Sequence, residues 1–154
     1  MLERLYRASG QAKSAVVARE QAAMLQLLPP EVVYAGRLFS DGDFAASEKV
    51  ISGYLKAGGN HAEAFRLLAR IKQQCRDFDE AERLFEAVLQ LAPSYRAARL
   101  DYVRTLLDGQ KYLQAYKAIG PLLELEPDNK EFLSLYAAAC VSFCFRIRSP
   151  AIRF

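Results

Sequence analysis

Residues 76–93 read RDFDEAERLFEAVLQLAP, and residues 110–127, thirty-four positions further along, read QKYLQAYKAIGPLLELEP. Few letters are identical between the two stretches, yet an aromatic residue, a small residue, an apolar pair and a proline occupy the same places in both. Self-similarity at a fixed interval is the sequence signature of a repeated structural unit. The interval therefore predicts a chain built from stacked copies of one unit.

The same pattern extends across three units when the chain is aligned with itself at this interval. Within each unit, apolar positions recur every three or four residues, which is the period of an α-helix and not of a β-strand. A column of small residues would allow two antiparallel helices to approach closely. The columns are aromatic at Phe44, Phe78 and Tyr112, small at Ser47, Ala81 and Ala115, apolar at Ile51, Phe85 and Ile119 and at Leu55, Leu89 and Leu123, helix-terminating at Gly59, Pro93 and Pro127, bulky at Tyr34, Leu68 and Tyr102, and small or slim at Ala35, Ala69 and Val103.

Each unit is predicted to form two helices. Asn60 with Glu63, and Asp128 with Glu131, have the spacing of a capping box and predict helix starts. Pro121 falls inside a predicted second helix, where it is expected to produce a kink. The helix pairs are expected at residues 30–41 and 44–57, 62–75 and 78–91, and 96–108 and 112–126, with a further first helix at 129–142.

Over residues 28–141 the column residues resemble a tetratricopeptide repeat (TPR) array. The resemblance implies an all-α fold, in which antiparallel helix pairs stack as a right-handed superhelix, an α-solenoid, of about 3.5 repeats. Residues 1–27 are interpreted as N-terminal helices of a partial repeat, residues 28–142 as the TPR array and residues 143–154 as an atypical tail. The resemblance rests on Phe65, Leu68, Ala69, Ala81, Phe85 and Pro93 in one unit and on Tyr112, Ala115 and Pro127 in the next.

The end of the chain departs from the pattern. After the half-unit at 129–141 the sequence continues SFCFRIRSPAIRF, with no aromatic–small–aliphatic series and no acidic residue after Glu131. Pro150 lies where a second helix should be well under way. We expect residues 143–154 to be poorly ordered or to form an association surface.

Composition limits the classes of partner and compartment. The net charge of +3 is mild, and no run of Lys and Arg concentrates it, so nucleic-acid binding is not expected. No apolar stretch reaches the roughly 18 residues of a membrane span, and no secretory signal is recognisable. We expect a cytoplasmic protein. Cys75, Cys140 and Cys144 are an odd number at spacings unlike a disulfide framework, and are predicted to be buried and reduced.

No motif in the sequence predicts catalysis. The stretch at 10–14 lacks the glycine that precedes the lysine of a phosphate-binding loop. His61 is the single histidine, and no motif brings a serine or cysteine nucleophile to it. The two thiols of Cys140 and Cys144 alone do not make a zinc site. We therefore expect a protein that is not an enzyme, with no cofactor and no metal site.

The TPR resemblance implies that the first helices line a concave groove, where most partners of the family bind. Arg66 and Arg70 share one helix face, and Arg70 and Arg104 occupy equivalent positions in neighbouring units. Arginine binds carboxylate and phosphate in a bidentate fork, so the groove favours a peptide or partner protein with acidic groups and apolar side chains. The alternative is that these arginines pair with Glu63 and Asp101 as solvated groups. The groove positions carried over are Val32, Gly36, Phe39, Arg66, Arg70, Gln73, Leu100, Arg104, Leu107, Ser134 and Ala138.

A second resemblance is narrower. The segments AEAFRLLARI, FDEAERLFEAVLQLAP, YRAARLDYVRTLL and PLLELEPDN are similar to the N-terminal array of bacterial TPR-containing sulfotransferase-family proteins. Those proteins carry a C-terminal α/β domain that binds 3′-phosphoadenosine 5′-phosphosulfate, and this sequence contains no such domain. The first hypothesis is a non-catalytic protein-interaction module. The second is a regulatory or scaffolding fragment of a sulfotransferase without its catalytic domain, and the third is self-association through the C-terminal end.

Overall fold

The computed structural model describes residues 15, 16, 19, 22 and 27–148, with side chains described as far as Arg146. From residue 27 onward these residues form seven consecutive helices, and the predicted all-α solenoid is confirmed. Most of the predicted N-terminal helices, in residues 1–27, and residues 149–154 of the tail lie outside the described residues. The helices are α1 Pro30–Ser40, α2 Phe44–Lys56, α3 Ala62–Gln74, α4 Phe78–Leu91, α5 Arg96–Asp108, α6 Tyr112–Leu125 and α7 Lys130–Arg148. No helix within this part of the chain combines the length and apolarity needed to cross a membrane.

Three of the repeat columns form the centre of the stack. Every member of these columns is fully buried. The first column is Ala35, Ala69 and Val103, the second is Ser47, Ala81 and Ala115, and the third is Ile51, Phe85 and Ile119. Ser47 is the polar member, and its hydroxyl donates to the carbonyl of Ala35 at 2.8 Å. Its burial therefore leaves no unpaired polar group between α1 and α2. The columns recur because each unit buries its apolar surface against the next.

The reversal between the two helices of a unit is the same turn three times. Gly42, Arg76 and Gln110, thirty-four residues apart, have φ of 84°, 62° and 60°. The residue that follows each of them donates its backbone amide to the carbonyl of the residue five positions before the donor, at 2.8 to 2.9 Å. A left-handed residue at this place lets the following amides hydrogen-bond to the last carbonyls of the helix while the chain reverses direction. Asp43 and Asp77 then cap the second helices by accepting backbone amides at 3.0 and 3.3 Å.

The predicted capping residues of two first helices are wrong by one position. His61 caps α3, where its Nδ1 accepts a backbone amide at 3.2 Å. Asn129 caps α7, where its Oδ1 accepts two amides at 3.0 and 3.3 Å. Asn60 and Asp128 precede these caps, because each helix begins one residue later than the capping-box spacing implied.

The last helix is longer than predicted. The repeat interval places its end near residue 142, yet α7 continues to Arg148. Residues 143–148, which the sequence places in the atypical tail, are helical in the structure, and the expectation that the tail is poorly ordered or forms an association surface stays a prediction. The division of the chain into an array and a tail stays a prediction.

All three cysteines are free thiols, and the prediction that they are buried is wrong. Cys75 and Cys144 are exposed, and Cys140 is half-buried. Cys75 follows α3 at the turn, where no helix covers it. The other two lie on the side of α7 that, in the earlier units, is covered by a second helix.

Gly53 and Gly120 lie inside helices, where an added Cβ would meet no heavy atom within 4 Å. We expect Gly53→Ala to raise the free energy of unfolding by about 0.5–1 kcal/mol, because alanine loses less backbone entropy on folding. Gly120 precedes Pro121, and α6 continues through that proline. A Cβ on the residue before a proline disfavours the helical conformation, so Gly120→Ala should stabilise less. Urea denaturation measures both changes, and equal gains would contradict this role of Pro121.

Candidate functional site

The first helices of the units form the inner row of the stack. α1 contacts α3, α3 contacts α5, and α5 contacts α7. Consecutive second helices have no contact of comparable extent within the described residues. The more closely spaced row lies on the inside of the curve, so α1, α3, α5 and α7 form the concave surface. The groove residues predicted from the sequence all lie on these four helices.

Arg66 is held in a network that joins α3 to α5. Its Nε and Nη2 lie 2.8 and 2.7 Å from Asp101 Oδ2, and its Nη1 lies 3.0 Å from Glu63 Oε1. The hydroxyl of Tyr95 accepts from Arg66 at 3.3 Å and donates to Glu63. The three charged side chains are only 11–16% exposed. The alternative of pairing with Glu63 and Asp101 therefore holds for Arg66, although the pair is largely buried and not solvated.

The electrostatics of this network keep the arginine charged. Burial alone would lower the pKa of Arg66, but the charges of Glu63 and Asp101 more than offset it and raise that pKa above its ordinary value. Burial, followed by the charge of Glu63, raises the pKa of Tyr95 as well. The network is internally satisfied, which suits a structural link between helices better than ligand capture.

Two other predicted polar groove residues are also engaged. Gln73 donates to Asp108 Oδ2 at 3.0 Å, which ties the ends of α3 and α5 together. Arg104 forms an ion pair with Glu131 on α7 and lies 3.8 Å from Asp101 Oδ1. Arg104 is more exposed than Arg66, so its pairing is weaker. The inner row is therefore linked by polar contacts at each step from α3 to α7.

Arg70 differs from the other groove arginines. Its guanidinium carbon lies 4.5 Å from the centroid of the Phe39 ring, a cation–π contact between α3 and α1. Among the described residues, no carboxylate lies within ion-pair distance of it. Stacking fixes the plane of the guanidinium while leaving its donors available. Arg70 is thus a positioned cation with no ion-pair partner among the described residues.

A cleft of about 980 Å³ adjoins Arg70 between α1 and α3. Leu67 and Val32, both nearly fully buried, form part of its floor, and Phe39 is half-buried beside them. Arg37 adds an exposed second cation. Asp41 and Glu63 also line the cleft, and Glu63 is paired with Arg66, so the cleft combines an apolar floor with two arginines and two carboxylates. Val32 contributes mainly as part of the core.

The predicted apolar residues at the other end of the groove have a packing role. Leu100 and Leu107 are half-buried against the cluster around Val103, Leu106 and Phe132. They stabilise the stack of α5, α6 and α7 and expose only part of their surface to the groove. The site residues brought together with an accessible cation are therefore those near Arg70.

Sequence reasoning did not identify Tyr95 and Arg37. Tyr95 occupies the column of the capping residues His61 and Asn129, and an aromatic residue there was the available signal. Arg37 occupies the column of the buried Ile71 and Thr105, so a charged residue at that place was the corresponding signal. Both residues differ in type from their equivalents in the other units, and such differences indicate where one unit has a role that the others do not share.

Residues 74–139 match the tetratricopeptide repeat family. The second TPR domain of the human RPAP3 protein, solved by NMR in complex with the HSP70 peptide SGPTIEEVD, has a TM-score of 0.65 at 20% identity, covering 71% of this chain and 92% of that one. A MamA mutant has a TM-score of 0.66 at 14% identity, covering 95% of this chain and 90% of that one. No curated protein sequence matches the chain. The fold is that of a TPR solenoid, and the resemblance to sulfotransferase arrays stays a prediction.

Proposed function

We propose that this chain is a non-catalytic interaction module, which binds an extended, acidic segment of a peptide or partner protein in its concave groove. The observation that carries the proposal is Arg70, the groove arginine stacked on Phe39 and left without a carboxylate partner among the described residues. The neighbouring cleft offers apolar surface for the side chains that flank an acidic group.

The other two groove arginines support this assignment because each of them already forms an ion pair within the chain. Arg66 and Arg104 are neutralised by carboxylates within the chain, so a ligand would have to displace those partners to use them. Binding at Arg70 requires no such displacement, and Arg37 lines the same cleft together with Asp41. The acidic group of a ligand should therefore lie between α1 and α3.

The similar RPAP3 domain is bound to the peptide SGPTIEEVD, which ends in three acidic residues around a valine. That peptide belongs to its own complex, and the likeness of the two chains is one of fold. It supports the kind of ligand proposed here, an acidic segment with aliphatic side chains, and supplies a practical probe.

We expect Arg70→Glu to weaken binding of such peptides by about tenfold or more, because it places a carboxylate against the acidic group of the ligand. Fluorescence anisotropy would measure a panel of acidic–aliphatic peptides that includes SGPTIEEVD. Arg70→Lys should give an intermediate loss, since lysine keeps the charge without the planar fork.

Arg83→Glu is the matched control, because it makes the same charge change at an exposed position on the second helix α4. It should leave the affinity nearly unchanged. An equal loss in Arg83→Glu and Arg70→Glu would show that net charge alone controls binding. Absence of binding by every peptide of the panel would also overturn the proposal. Nothing in the described residues favours the sulfotransferase-fragment hypothesis over this one.

A further inference from the structure

α7 passes the position at which the other first helices end. Cys144 occupies the place of Gly42, Arg76 and Gln110, the three left-handed residues of the turns, but it is helical. Phe145 occupies the place of the Asp43 cap and has no side-chain acceptor for a following helix. The chain therefore continues as a helix through Arg148, past the position at which α1, α3 and α5 are followed by a turn.

Among the described residues, no second helix covers one side of α7. Ala137 shares a column with the fully buried Ala35, Ala69 and Val103, yet it is exposed. Leu133, Ala137, Cys140 and Cys144 follow one another at intervals of four, three and four, which places them on one helix face. Next to this face, Val141 and Phe145 are 68% and 75% exposed. We call Leu133, Ala137, Cys140 and Cys144 the terminal face.

The adjoining surface of α6 has lost the charges found in earlier units. Glu48 on α2 and Glu82 on α4 form ion pairs with Lys72 and Lys111. The equivalent residue on α6 is Tyr116, which is exposed and stacks on Tyr136 of α7 at 5.3 Å between ring centroids. Leu113, also exposed, replaces Asp79 of the preceding unit. The apolar surface therefore continues from the terminal face onto α6.

We propose that the terminal face binds a second copy of this chain, with the two α7 helices packed antiparallel about a two-fold axis. In every complete unit the second helix runs antiparallel to the first, so an antiparallel α7 fits the place of the uncovered second helix. A two-fold axis makes the same patch serve both partners. Ala137 near the middle of the face has the short side chain that close helix approach needs.

The distribution of charge favours the antiparallel arrangement. Asp128, Lys130 and Glu131 lie at the start of α7, with Glu131 paired to Arg104 of the same chain, whereas Arg146 and Arg148 lie near its end and no acidic residue follows Glu131 in the sequence. Antiparallel pairing brings Asp128 of one copy towards the basic end of α7 in the other, and it also opposes the two helix dipoles favourably. Parallel pairing would place like charges together.

Sedimentation velocity of the full chain across a concentration series tests the association. We expect a reversible monomer–dimer equilibrium, and we expect Ala137→Glu to weaken it by about tenfold or more because a carboxylate would be buried without a partner. Ala138→Glu is the matched control, since it changes the neighbouring exposed alanine, which the repeat register directs to the groove. Circular dichroism should show unchanged helicity in both. A monomer at every concentration, or equal effects of both variants, would overturn the proposal.

Chemical cross-linking tests the orientation. The middle of the terminal face lies between residues 138 and 139, so about a two-fold axis the copies of Cys140 would be offset by about 5 Å along the helices and those of Cys144 by about 16 Å. A short bismaleimide should therefore couple Cys75→Ser/Cys144→Ser, which retains Cys140, and should not couple Cys75→Ser/Cys140→Ser, which retains Cys144. Labelling with a monofunctional maleimide checks that both thiols react. Efficient coupling through Cys144, or failure through Cys140, would contradict the antiparallel dimer.

Discussion

Arg66→Ala is expected to lower the free energy of unfolding by about 3–5 kcal/mol, the usual cost of removing one partner from a buried ion pair. Glu63 and Asp101 would stay largely buried after losing the cation that both of them contact. The Tyr95 hydroxyl would also lose one of its two partners. The link between α3 and α5 would be replaced by two carboxylates that repel each other.

Urea denaturation followed by circular dichroism measures this change. Arg83→Ala is the matched control, because Arg83 pairs with Glu80 at 3.2 Å on the exposed surface of α4, where such a pair contributes about 0–1 kcal/mol. Replacing Arg66, Glu63 and Asp101 by Met, Leu and Leu together with Tyr95→Phe should recover most of the loss, since neither a charge nor the Tyr95 hydroxyl is then left unpaired. Similar costs for Arg66→Ala and Arg83→Ala would show that the network is not effectively buried.

The sequence predicted the core well because each core position is specified three times. A single alanine such as Ala81 carries little information, but the column it shares with Ser47 and Ala115 requires close helix approach in every unit. All three are fully buried. Repetition thus replaces the evolutionary information that an isolated sequence lacks.

The pairing of the arginines could not be predicted in the same way. Arg66 and Asp101 lie thirty-five residues apart and meet only because α3 and α5 pack side by side. The register placed Arg66, Arg70 and Arg104 on one surface and offered Glu63 and Asp101 as partners, but it did not decide which arginine pairs with them. Only distances separate the occupied Arg66 and Arg104 from the unpaired Arg70.

The length of α7 escaped prediction for a different reason. The left-handed position of the turn is glycine once and then Arg76 and Gln110, so residue type at Cys144 did not exclude a turn. Phe145 has no capping acceptor, but neither has Lys111 in the same column, after which α6 begins, so this position did not exclude a turn either. A helix end depends on both positions together, and a pattern of apolar columns records neither.

Phe85→Ala is expected to destabilise the protein by about 3–5 kcal/mol, because it leaves a cavity where a fully buried ring was packed. Phe85 of α4 packs with Ala69 of α3 and Ala81 of its own helix, and its ring lies 6.4 Å from that of Tyr102 on α5. One side chain therefore joins three consecutive helices at the middle of the array.

In a linear array, each unit is stabilised through its contact with the next, so loss of this contact should also uncouple the two halves. We expect the urea transition of Phe85→Ala to broaden, with amides of α1 and α2 exchanging hydrogen at a different free energy from those of α6 and α7. Phe85→Leu should retain most of the stability, and Leu91→Ala, at an exposed position of the same helix, should have little effect. A sharp single transition with uniform exchange protection would mean that the halves stay coupled through the polar links of the inner row, Arg66–Asp101 and Gln73–Asp108, without the ring.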